Sequence, residues 1–311
     1  MKPTIIVFSR DRAMQLDATL RSFFIHCRDA QHTDLTIIYR ASSPSRARQY
    51  LQLREQWATI NNMCFVEQQQ FRNDVLSALT RHDHSALARL SVRCLSIFRR
   101  QRRNFLFRWL RQQVPGHVLF LVDDCVFVSE FALLEVVDTL SARPAALGYS
   151  LRLGRNTTCC YPLARAQELP AFEQITPQRL SYVWGTADAD FAYPLEVSSS
   201  VYRRADLLPL LYRLPFQNPN QLEKAMAFSA VNFKLSRPDL LCFDTSVAFC
   251  NPLNKVQSEY DNRVEQSGRY SVDALARLFD DGYRIKVDHY SGFVSSACHQ
   301  EVDLQFERCQ G

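Results

Sequence analysis

The chain has 311 residues, of which 47% are hydrophobic, enough to bury the core of one large α/β domain or of two packed halves. No apolar run reaches the roughly 20 residues that a membrane-spanning helix needs, and the apolar run at 4–8 begins almost at Met1, so we expect neither a signal peptide nor a transmembrane anchor. The net charge of +5 rests mainly on arginine, whose planar guanidinium binds two phosphate oxygens at once.

The 10 cysteines show neither a C-x-x-C pair nor the spacing of a zinc site. Most lie among apolar neighbours, so we expect reduced, buried thiols. Cysteines of a secreted protein of this size usually form disulfides, and the sequence therefore predicts a reducing compartment, the cytoplasm.

The first third of the chain alternates short β-rich runs with helical patterns. Strands are predicted at 4–8, 35–39 and 63–66, and helices at 15–26 and 45–57. This βαβαβ order is typical of a parallel sheet that is covered by helices, as in the nucleotide-binding half of many folds.

A fourth strand is predicted at 117–122, apolar on both faces as a central parallel strand should be. Asp123 and Asp124 follow it directly, at the position where open α/β sheets bind ligands. Before this strand, the arginine-rich helical stretch at about 85–113 is predicted to be an insertion on the α/β core.

The pattern is less regular beyond residue 145. We predict a strand at 197–202, helices at 219–229 and 271–281, and a final strand at 283–287 that precedes a C-terminal tail.

The adjacent acids Asp123 and Asp124 give the strongest chemical signal in the sequence. Burying two carboxylates without a partner is costly, so a cation is expected beside them. Mg²⁺ or Mn²⁺ uses such hard oxygen ligands when it neutralises a phosphate leaving group, and we predict Asp124 as a metal ligand. The alternative is that the two acids end the strand and cap a helix that begins near Ser129.

A polar cluster, Ser9, Arg10, Asp11 and Arg12, follows the first strand and precedes a helix whose N-terminus can attract phosphate. It could read a base, a ribose or a diphosphate. An ordinary β-to-α turn is the alternative.

The segment 8–12, Phe-Ser-Arg-Asp-Arg, and the acids at the end of Val122-Asp123-Asp124 resemble the GT-A glycosyltransferases, in particular bacterial family-2-like enzymes. In that fold the last acid of an Asp-x-Asp or Glu-Asp-Asp motif binds the metal. This sequence lacks the first acid, and Cys125 departs from the Asp-Asp-Asp variant.

The resemblance implies an α/β fold with a mostly parallel central sheet, flanked by helices, and an acceptor-side subdomain. Residues 1–144 would be the nucleotide-sugar-binding half and 145–311 the acceptor-binding half with the tail. The function implied is a glycosyltransferase that uses Mn²⁺ or Mg²⁺ to move a sugar from a UDP- or GDP-linked donor to a carbohydrate or lipid-linked hydroxyl. Six residues are assigned to the nucleotide sugar: Ser9, Arg10, Asp11, Arg12, Arg40 and Asp123.

The resemblance also suggests a late histidine as metal ligand, either His299 or its competitor His289. Glu223 looks like the acid at a helix start that takes the proton of the acceptor hydroxyl in an inverting transfer, with Asn220 as the helix cap. A retaining transfer, which would not require a base at this helix start, stays open. A plain capping box, Asn-x-x-Glu, is the alternative for the last two residues.

Acceptor contacts are predicted in the segment 184–190, where Trp184, Asp188 and Asp190 combine an aromatic face with carboxylates. A core tryptophan and solvated loop acids are the alternative for these residues.

The stretch from Arg89 to Arg111 interleaves arginines with apolar residues and could lie on an anionic membrane surface. It also leaves open a noncatalytic nucleic-acid or membrane-binding module, or a degenerate glycosyltransferase. We expect no specific nucleic acid, because the charge is confined to one segment. A nucleotidyltransferase is a further alternative, although a glycine-rich phosphate loop is missing after the first strand.

Overall fold

The computed structural model describes residues 2–81, 83, 85–97, 105–254 and 269–308. The predicted arginine-rich segment falls partly outside these ranges, since Arg99, Arg100, Arg102 and Arg103 are not among the described residues.

The described chain forms a mixed α/β structure. Its strands, in chain order, are β1 (Thr4–Arg10), β2 (Asp34–Arg40), β3 (Met63–Glu67), β4 (His117–Val122), β5 (Cys125–Phe127), β6 (Ala146–Ser150), β7 (Cys159–Cys160), β8 (Arg165–Ala166), β9 (Glu173–Thr176), β10 (Arg179–Val183), β11 (Ser200–Arg203), β12 (Asp239–Phe243), β13 (Ala248–Cys250), β14 (Tyr283–Ile285) and β15 (Phe306–Arg308). The α-helices are α1 (Ala13–His26), α2 (Pro44–Gln56), α3 (Phe71–Thr80), α4 (Ala86–Ser96), α5 (Phe105–Gln112), α6 (Leu133–Ala142), α7 (Arg204–Leu211), α8 (Pro219–Ser229) and α9 (Val272–Asp280).

A central nine-stranded sheet has the order β3-β2-β1-β4-β11-β6-β12-β10-β9. Its first four strands are parallel, β11 runs antiparallel between β4 and β6, and β10 runs antiparallel between β12 and β9. The other strands share one direction, so the predicted fold class, a mostly parallel sheet flanked by helices, is confirmed.

Each face of the sheet is covered by one apolar core. Alternate residues of β1 point to opposite faces, with Ile5 and Val7 in one core and Ile6 and Phe8 in the other. Helices α1, α2, α6 and α9 cover the first face, and α3, α4, α5, α7 and α8 cover the second. The end of β1 is therefore fixed from both sides, which positions the loop that follows it.

The predicted strands and helices of the first half are present with shifts of one or two residues at their ends. Two predictions were wrong. The helix expected near Ser129 begins at Leu133, because Asp29 caps it by accepting hydrogen bonds from the backbone N–H groups of Leu133 at 2.8 Å and Leu134 at 2.7 Å. The strand at 283–285 is not the last, since Phe306–Arg308 pairs with it.

The predicted helical stretch contains α4 and α5 within the described residues, and its being an insertion stays a prediction. The division at residue 144 stays a prediction, and strands from both sides of it pair in one sheet. Nine cysteines in the described ranges are free thiols, six of them buried. No helix in the described part of the chain has the length and apolar character to cross a bilayer.

Candidate active site

A cavity of about 840 Å³ opens at the ends of β1, β2 and β4. Its walls bring together residues from opposite ends of the chain. Most of the predicted site residues line it, namely Ser9, Arg10, Arg12, Arg40, Asp123, Asp124, Asp190, Glu223 and His299.

Asp123 ties the end of β4 to the loop after β1. The parallel register pairs Phe8 with Val122, so the next residues of the two strands, Ser9 and Asp123, lie side by side. One carboxylate oxygen of Asp123 accepts hydrogen bonds from Ser9 Oγ at 2.8 Å and from the Arg10 backbone N–H at 3.2 Å. The other accepts from the Arg12 guanidinium at 3.1 Å. Both carboxylate oxygens of Asp123 thus accept hydrogen bonds from other residues of the chain.

Asp124 is left in a different state. Its Oδ2 lies 3.5 Å from the Arg12 guanidinium, while its Oδ1 is buried and has no hydrogen-bond partner among the described residues. A buried carboxylate oxygen without a partner is costly, so this atom is suited to a cation or to a hydrogen-bond donor that enters the cavity. The alternative in which both acids cap a helix is wrong, because β5 follows them at Cys125.

Arg12 is held at its backbone and at the end of its guanidinium, while its buried Nε has no partner among the described residues. Its backbone N–H donates to the Tyr50 hydroxyl at 3.1 Å, and its guanidinium also donates to the backbone carbonyl of Asn254. Tyr50 in turn shares a 2.7 Å hydrogen bond with Ser9 Oγ. Burial raises the pKa of Tyr50, so its hydroxyl stays protonated at neutral pH. The guanidinium therefore presents a fixed positive charge to the cavity.

Asp11 turns the chain and does not line the cavity. It has a φ of +56°, a left-handed conformation that aspartate tolerates better than most residues. Its carboxylate accepts from the Ser42 backbone N–H at 2.7 Å, and its own N–H donates to the Arg40 carbonyl at 3.1 Å. Arg10 and Arg40, on either side of this connection, are exposed cations on the cavity wall.

A buried arginine, Arg152, organises the opposite wall. Its guanidinium donates to Glu196 at 3.2 Å, to Ser199 Oγ at 2.8 Å and to Cys250 Sγ at 3.2 Å. The Glu196 carboxylate accepts further hydrogen bonds from the backbone N–H groups of Ser198 and Ser199. The paired charges form a rigid, polar wall, since every oxygen of Glu196 has a partner.

His299 lies against this wall with Nε2 3.2 Å from the Arg152 guanidinium. Burial and the neighbouring Arg152 lower the pKa of His299 to about 3, so the ring is neutral at physiological pH. Its Nδ1 is buried without a partner among the described residues. The competing His289 is exposed and lies outside the cavity wall.

Glu223 lines the cavity from α8. Burial, and secondly the negative charge of Glu196, raise the pKa of Glu223 to about 7. A carboxylate with a pKa near the ambient pH is a better proton acceptor than an ordinary glutamate, and part of its surface stays accessible.

The helix cap of α8 differs from the prediction. Asn218, not Asn220, is the N-cap, and its side chain accepts from the Gln221 backbone N–H at 2.9 Å. Gln221 reaches back to accept from the Gln217 backbone N–H at 3.0 Å. Because these residues satisfy the helix start, the capping-box alternative for Glu223 is wrong and its carboxylate is left to face the cavity.

The predicted acceptor residues lie in three different surroundings. Asp190 lines the cavity and has a buried Oδ2 without a partner in the described chain. Trp184 is buried and donates from Nε1 to the Arg237 carbonyl at 2.7 Å, but one side of it borders a second, neighbouring cavity. Asp188 lies outside both cavities, because Arg165 binds its two oxygens at 2.7 Å each.

Several residues of the site were not predicted from the sequence: Tyr50, Arg152, Glu196 and Asn254. Arg152 follows the buried strand β6 just as Asp123 follows β4, and this shared signal could have indicated it. The other three carry no local pattern and are brought to the site by long-range packing.

A divalent cation fits this cavity only in part. The unpartnered Asp124 Oδ1 is an atom of the kind that binds Mn²⁺. His299 lines the same cavity, but its Nε2 accepts from the Arg152 guanidinium, so in this neutral ring Nδ1 carries the proton and is a donor. No group of three or more His, Cys, Asp or Glu side chains in the described ranges is placed to hold a metal. Ligands from a bound diphosphate would have to complete the coordination.

No protein-family model matches the chain. The chain is 22% identical, over 312 residues, to the bifunctional glycosyltransferase pgtA of Dictyostelium discoideum, and the match covers 92% of this chain and 36% of that protein. The chain thus spans little more than a third of this curated relative. The relative's name agrees with the resemblance to glycosyltransferases found at residues 8–12 and 122–124.

Solved structures with a similar fold include glycosyltransferases. One is S. aureus TarS, with a TM-score of 0.46 and 13% identity over 80% of this chain and 36% of that chain. Another is the mannosyltransferase PcManGT of Pyrobaculum calidifontis in complex with GDP-Man and Mn²⁺, with a TM-score of 0.39 and 11% identity over 77% of this chain and 54% of that chain. These TM-scores are below 0.5, so these structures indicate nothing about the function of this chain.

Proposed function

We propose that this chain is a glycosyltransferase that moves a sugar from a nucleoside diphosphate donor to an acceptor hydroxyl. One observation carries the proposal: a single cavity combines a strand-end carboxylate with an unpartnered oxygen, fixed arginines and a glutamate with a pKa near 7. The first two suit a diphosphate and its cation, and the third suits removal of a proton from a hydroxyl.

The nucleotide and diphosphate would bind beside the end of β1. Arg10 and Arg40 are exposed on the cavity wall, and Arg12 is held in place by Asp123, so together they offer cationic groups to phosphate oxygens. Ser9 and Asp11 support this arrangement by fixing the loop. Fixed cations stabilise the charge that develops on a departing diphosphate without reorganising first.

Asp124 would hold a Mn²⁺ or Mg²⁺ ion through Oδ1, with His299 as a second ligand in the tautomer that carries its proton on Nε2, which requires the ring to give up its hydrogen bond from the Arg152 guanidinium. The unpartnered state of Asp124 Oδ1 supports this proposal. When bound, the cation would neutralise charge on the diphosphate. His299 is neutral at physiological pH, as a metal-binding imidazole must be.

Glu223 would act as the general base. The acceptor oxygen forms a bond to the anomeric carbon while the bond from that carbon to the diphosphate oxygen breaks, and the hydroxyl proton passes to the Glu223 carboxylate. Direct displacement inverts the configuration at the anomeric carbon. The position of Glu223 on the cavity wall supports this role. Asp190 and Trp184 would contact the acceptor.

Helices α4 and α5 would contact an anionic membrane surface. Ile97 and Phe105 are 75% and 83% exposed, and Arg89 and Arg93 are exposed cations on α4. Apolar side chains interleaved with arginine are typical of helices that lie in a membrane interface. Arg111 does not belong to this surface, because it pairs with the buried Asp206 and fixes α5 to α7. The free thiols support a cytoplasmic location.

Titration calorimetry tests the proposal. We expect UDP or GDP to bind with Mn²⁺ present, and expect the Asp124→Ala variant to lose about tenfold or more in affinity with Mn²⁺ but little without it. Asp138→Ala, a change of an exposed aspartate on α6, is the matched control and should leave binding unchanged. If neither nucleotide binds under any condition, the function is that of a noncatalytic module instead.

A further inference from the structure

A second cavity of about 670 Å³ adjoins the one already described. Tyr193, Asn220 and Glu223 line both, so the proposed general base lies where the two cavities meet. We call the second cavity the α8 groove. A molecule in the α8 groove can therefore present a hydroxyl to Glu223.

Most of the wall of the α8 groove is apolar or aromatic. The apolar and aromatic lining residues are Trp184, Ala192, Tyr193, Pro194, Ala227, Phe228, Ala230 and Val231. Phe228 and Val231 are 75% and 70% exposed, so the wall continues onto the surface. A neutral glycan needs many hydrogen-bonding groups, and this wall offers few, so it favours a ligand with an apolar portion.

Two lysines, Lys224 and Lys234, also line the α8 groove, and Glu223 is the one acid among its described lining residues. Lysine is scarce in this arginine-rich chain, with Lys2, Lys255 and Lys286 as the other three. A compact ammonium group suits a phosphate as a point charge. The charge of the groove thus favours an anionic ligand.

The side chain of Lys234 lies against Gly185. A side-chain carbon added at Gly185 would lie 2.8 Å from Lys234 Cε, so the lysine stem passes over the bare backbone of the glycine. A larger side chain at position 185 would push this flexible, exposed lysine stem to a new position. This feature provides a way to displace the charge without removing it.

We propose that the α8 groove binds the acceptor, and that the acceptor is an amphiphile that carries a phosphate group. Its apolar portion lies along Trp184, Phe228 and Val231, its phosphate lies beside Lys224 and Lys234, and its hydroxyl reaches Glu223. The role as acceptor site rests on the proposed function. Binding of a phosphate amphiphile does not, because it depends on the groove alone.

Octyl phosphate, below its micelle concentration, is the probe. We expect titration calorimetry to show that it binds at least about tenfold more tightly than octyl glucoside or inorganic phosphate, since only the probe supplies both apolar and anionic contacts. Equal binding of the glucoside would overturn the anionic part of the proposal. Equal binding of inorganic phosphate would overturn the apolar part.

Two variants locate the binding in the groove. Lys234→Glu reverses a charge, and Gly185→Val keeps all charges but displaces the Lys234 stem. Both should weaken octyl phosphate by about tenfold, while Lys286→Glu, an exposed lysine outside both cavities, should change the affinity less than about twofold. Unchanged affinity in both groove variants overturns the assignment of the site. Circular dichroism verifies that each variant is folded.

Nucleotide binding separates this inference from the proposed function. Lys234→Glu should leave the affinity for UDP or GDP unchanged, because Lys234 does not line the larger cavity. If octyl phosphate binds as expected but no nucleotide does, the proposed function is wrong, while the α8 groove is still a binding site for a phosphate amphiphile. If a nucleotide binds and octyl phosphate does not, the acceptor class is wrong and the function remains.

Discussion

Asp123 and Asp124 are adjacent in the chain but differ in how many of their carboxylate oxygens have hydrogen-bond partners. Asp123 accepts hydrogen bonds from Ser9, Arg10 and Arg12, whereas one oxygen of Asp124 has no partner in the described chain. The sequence predicted that the two acids lie beside a cation, and one positive charge beside them is the guanidinium of Arg12. Which acid holds the loop and which faces a ligand could not be predicted, because this depends on the register between β1 and β4.

This difference predicts unequal effects of two alanine substitutions on stability. Asp123→Ala leaves the guanidinium of Arg12 without its main partner and should lower the free energy of unfolding by about 3 kcal/mol. Asp124→Ala removes an oxygen that has no partner and should change it by less than about 1 kcal/mol. Urea unfolding measures both, and an equal loss in the two variants would contradict the assignment.

The raised pKa of Glu223 predicts the pH dependence of the reaction. The base must be ionised, so kcat/KM should rise with pH up to about 7 and level off above it. Below pH 7 the rate should fall about tenfold per pH unit, because the carboxyl is protonated. Initial rates between pH 5 and pH 8 measure the profile, and a plateau that extends to pH 5 would exclude Glu223 as the base.

Removal of the carboxylate tests the same residue. Glu223→Gln should lower kcat by about 100-fold or more with a smaller change in KM, since the amide cannot accept the proton. Glu130→Gln, at an exposed glutamate, is the matched control.

The Glu223→Gln variant should also gain stability relative to wild type as the pH rises from about 4.3 to 7. In that range the unfolded wild-type chain ionises Glu223, whereas ionising it in the folded state is unfavourable.

At the level of single elements, helix α8 carries both the cap residue Asn218 at its start and the proposed base Glu223. Its bounds, 219–229, agree with the prediction, because proline at the helix start and the apolar spacing are local signals. The cap was assigned to Asn220 instead of Asn218, since both asparagines precede a plausible helix and only the backbone conformation separates them. The correct cap fixes the start of the helix one turn before Glu223.

The cap predicts a coupled loss of stability and activity. Asn218→Ala should lower the free energy of unfolding by about 1 kcal/mol and also lower kcat, because the turn that carries Glu223 frays. Ser271→Ala removes the equivalent cap of α9, outside the cavity, and should lower stability by a similar amount with no loss of kcat. Equal kcat values in the Asn218→Ala and Ser271→Ala variants would show that the position of Glu223 does not depend on the cap of α8.

Helices α4 and α5 predict binding to anionic vesicles. Reversal of two exposed charges, Arg89→Glu with Arg93→Glu, should weaken sedimentation with phosphatidylserine vesicles by about tenfold, since each basic residue near such a surface contributes about 1 kcal/mol. The same reversal on α2, Arg48→Glu with Arg54→Glu, changes the net charge equally and should have little effect. Equal losses would indicate attraction by net charge and not by these helices.

At the scale of the whole molecule, the elements predicted in both halves are present, but the sheet pairing of the second half and several of its strands, among them β6, β10 and β12, could not be predicted. Strands β1 to β4 lie in sequence beside helices that cover them, so local periodicity was sufficient. The wall of Arg152, Glu196 and His299 depends on β11, which enters the sheet between β4 and β6 from far along the chain. Such non-local pairing leaves no periodic signal.

The position of β11 also tests the division at residue 144. A fragment 1–144 lacks β11, so one edge of the buried strand β4 would be unpaired and the core on one face would lose α7 and α8. We expect no cooperative thermal transition for this fragment by circular dichroism, in contrast to the whole chain. A cooperative transition would support an independent nucleotide-binding half.

The late arrival of β11 has a consequence during synthesis on the ribosome. The stretch of roughly 80 residues between the end of β4 and β11 takes about 4 to 16 s to translate at about 5 to 20 residues per second. Throughout this interval the apolar strand at 117–122 has an open edge that can pair with another nascent chain. Slower translation between these strands should therefore lower the yield of native protein without altering a single contact of the folded state.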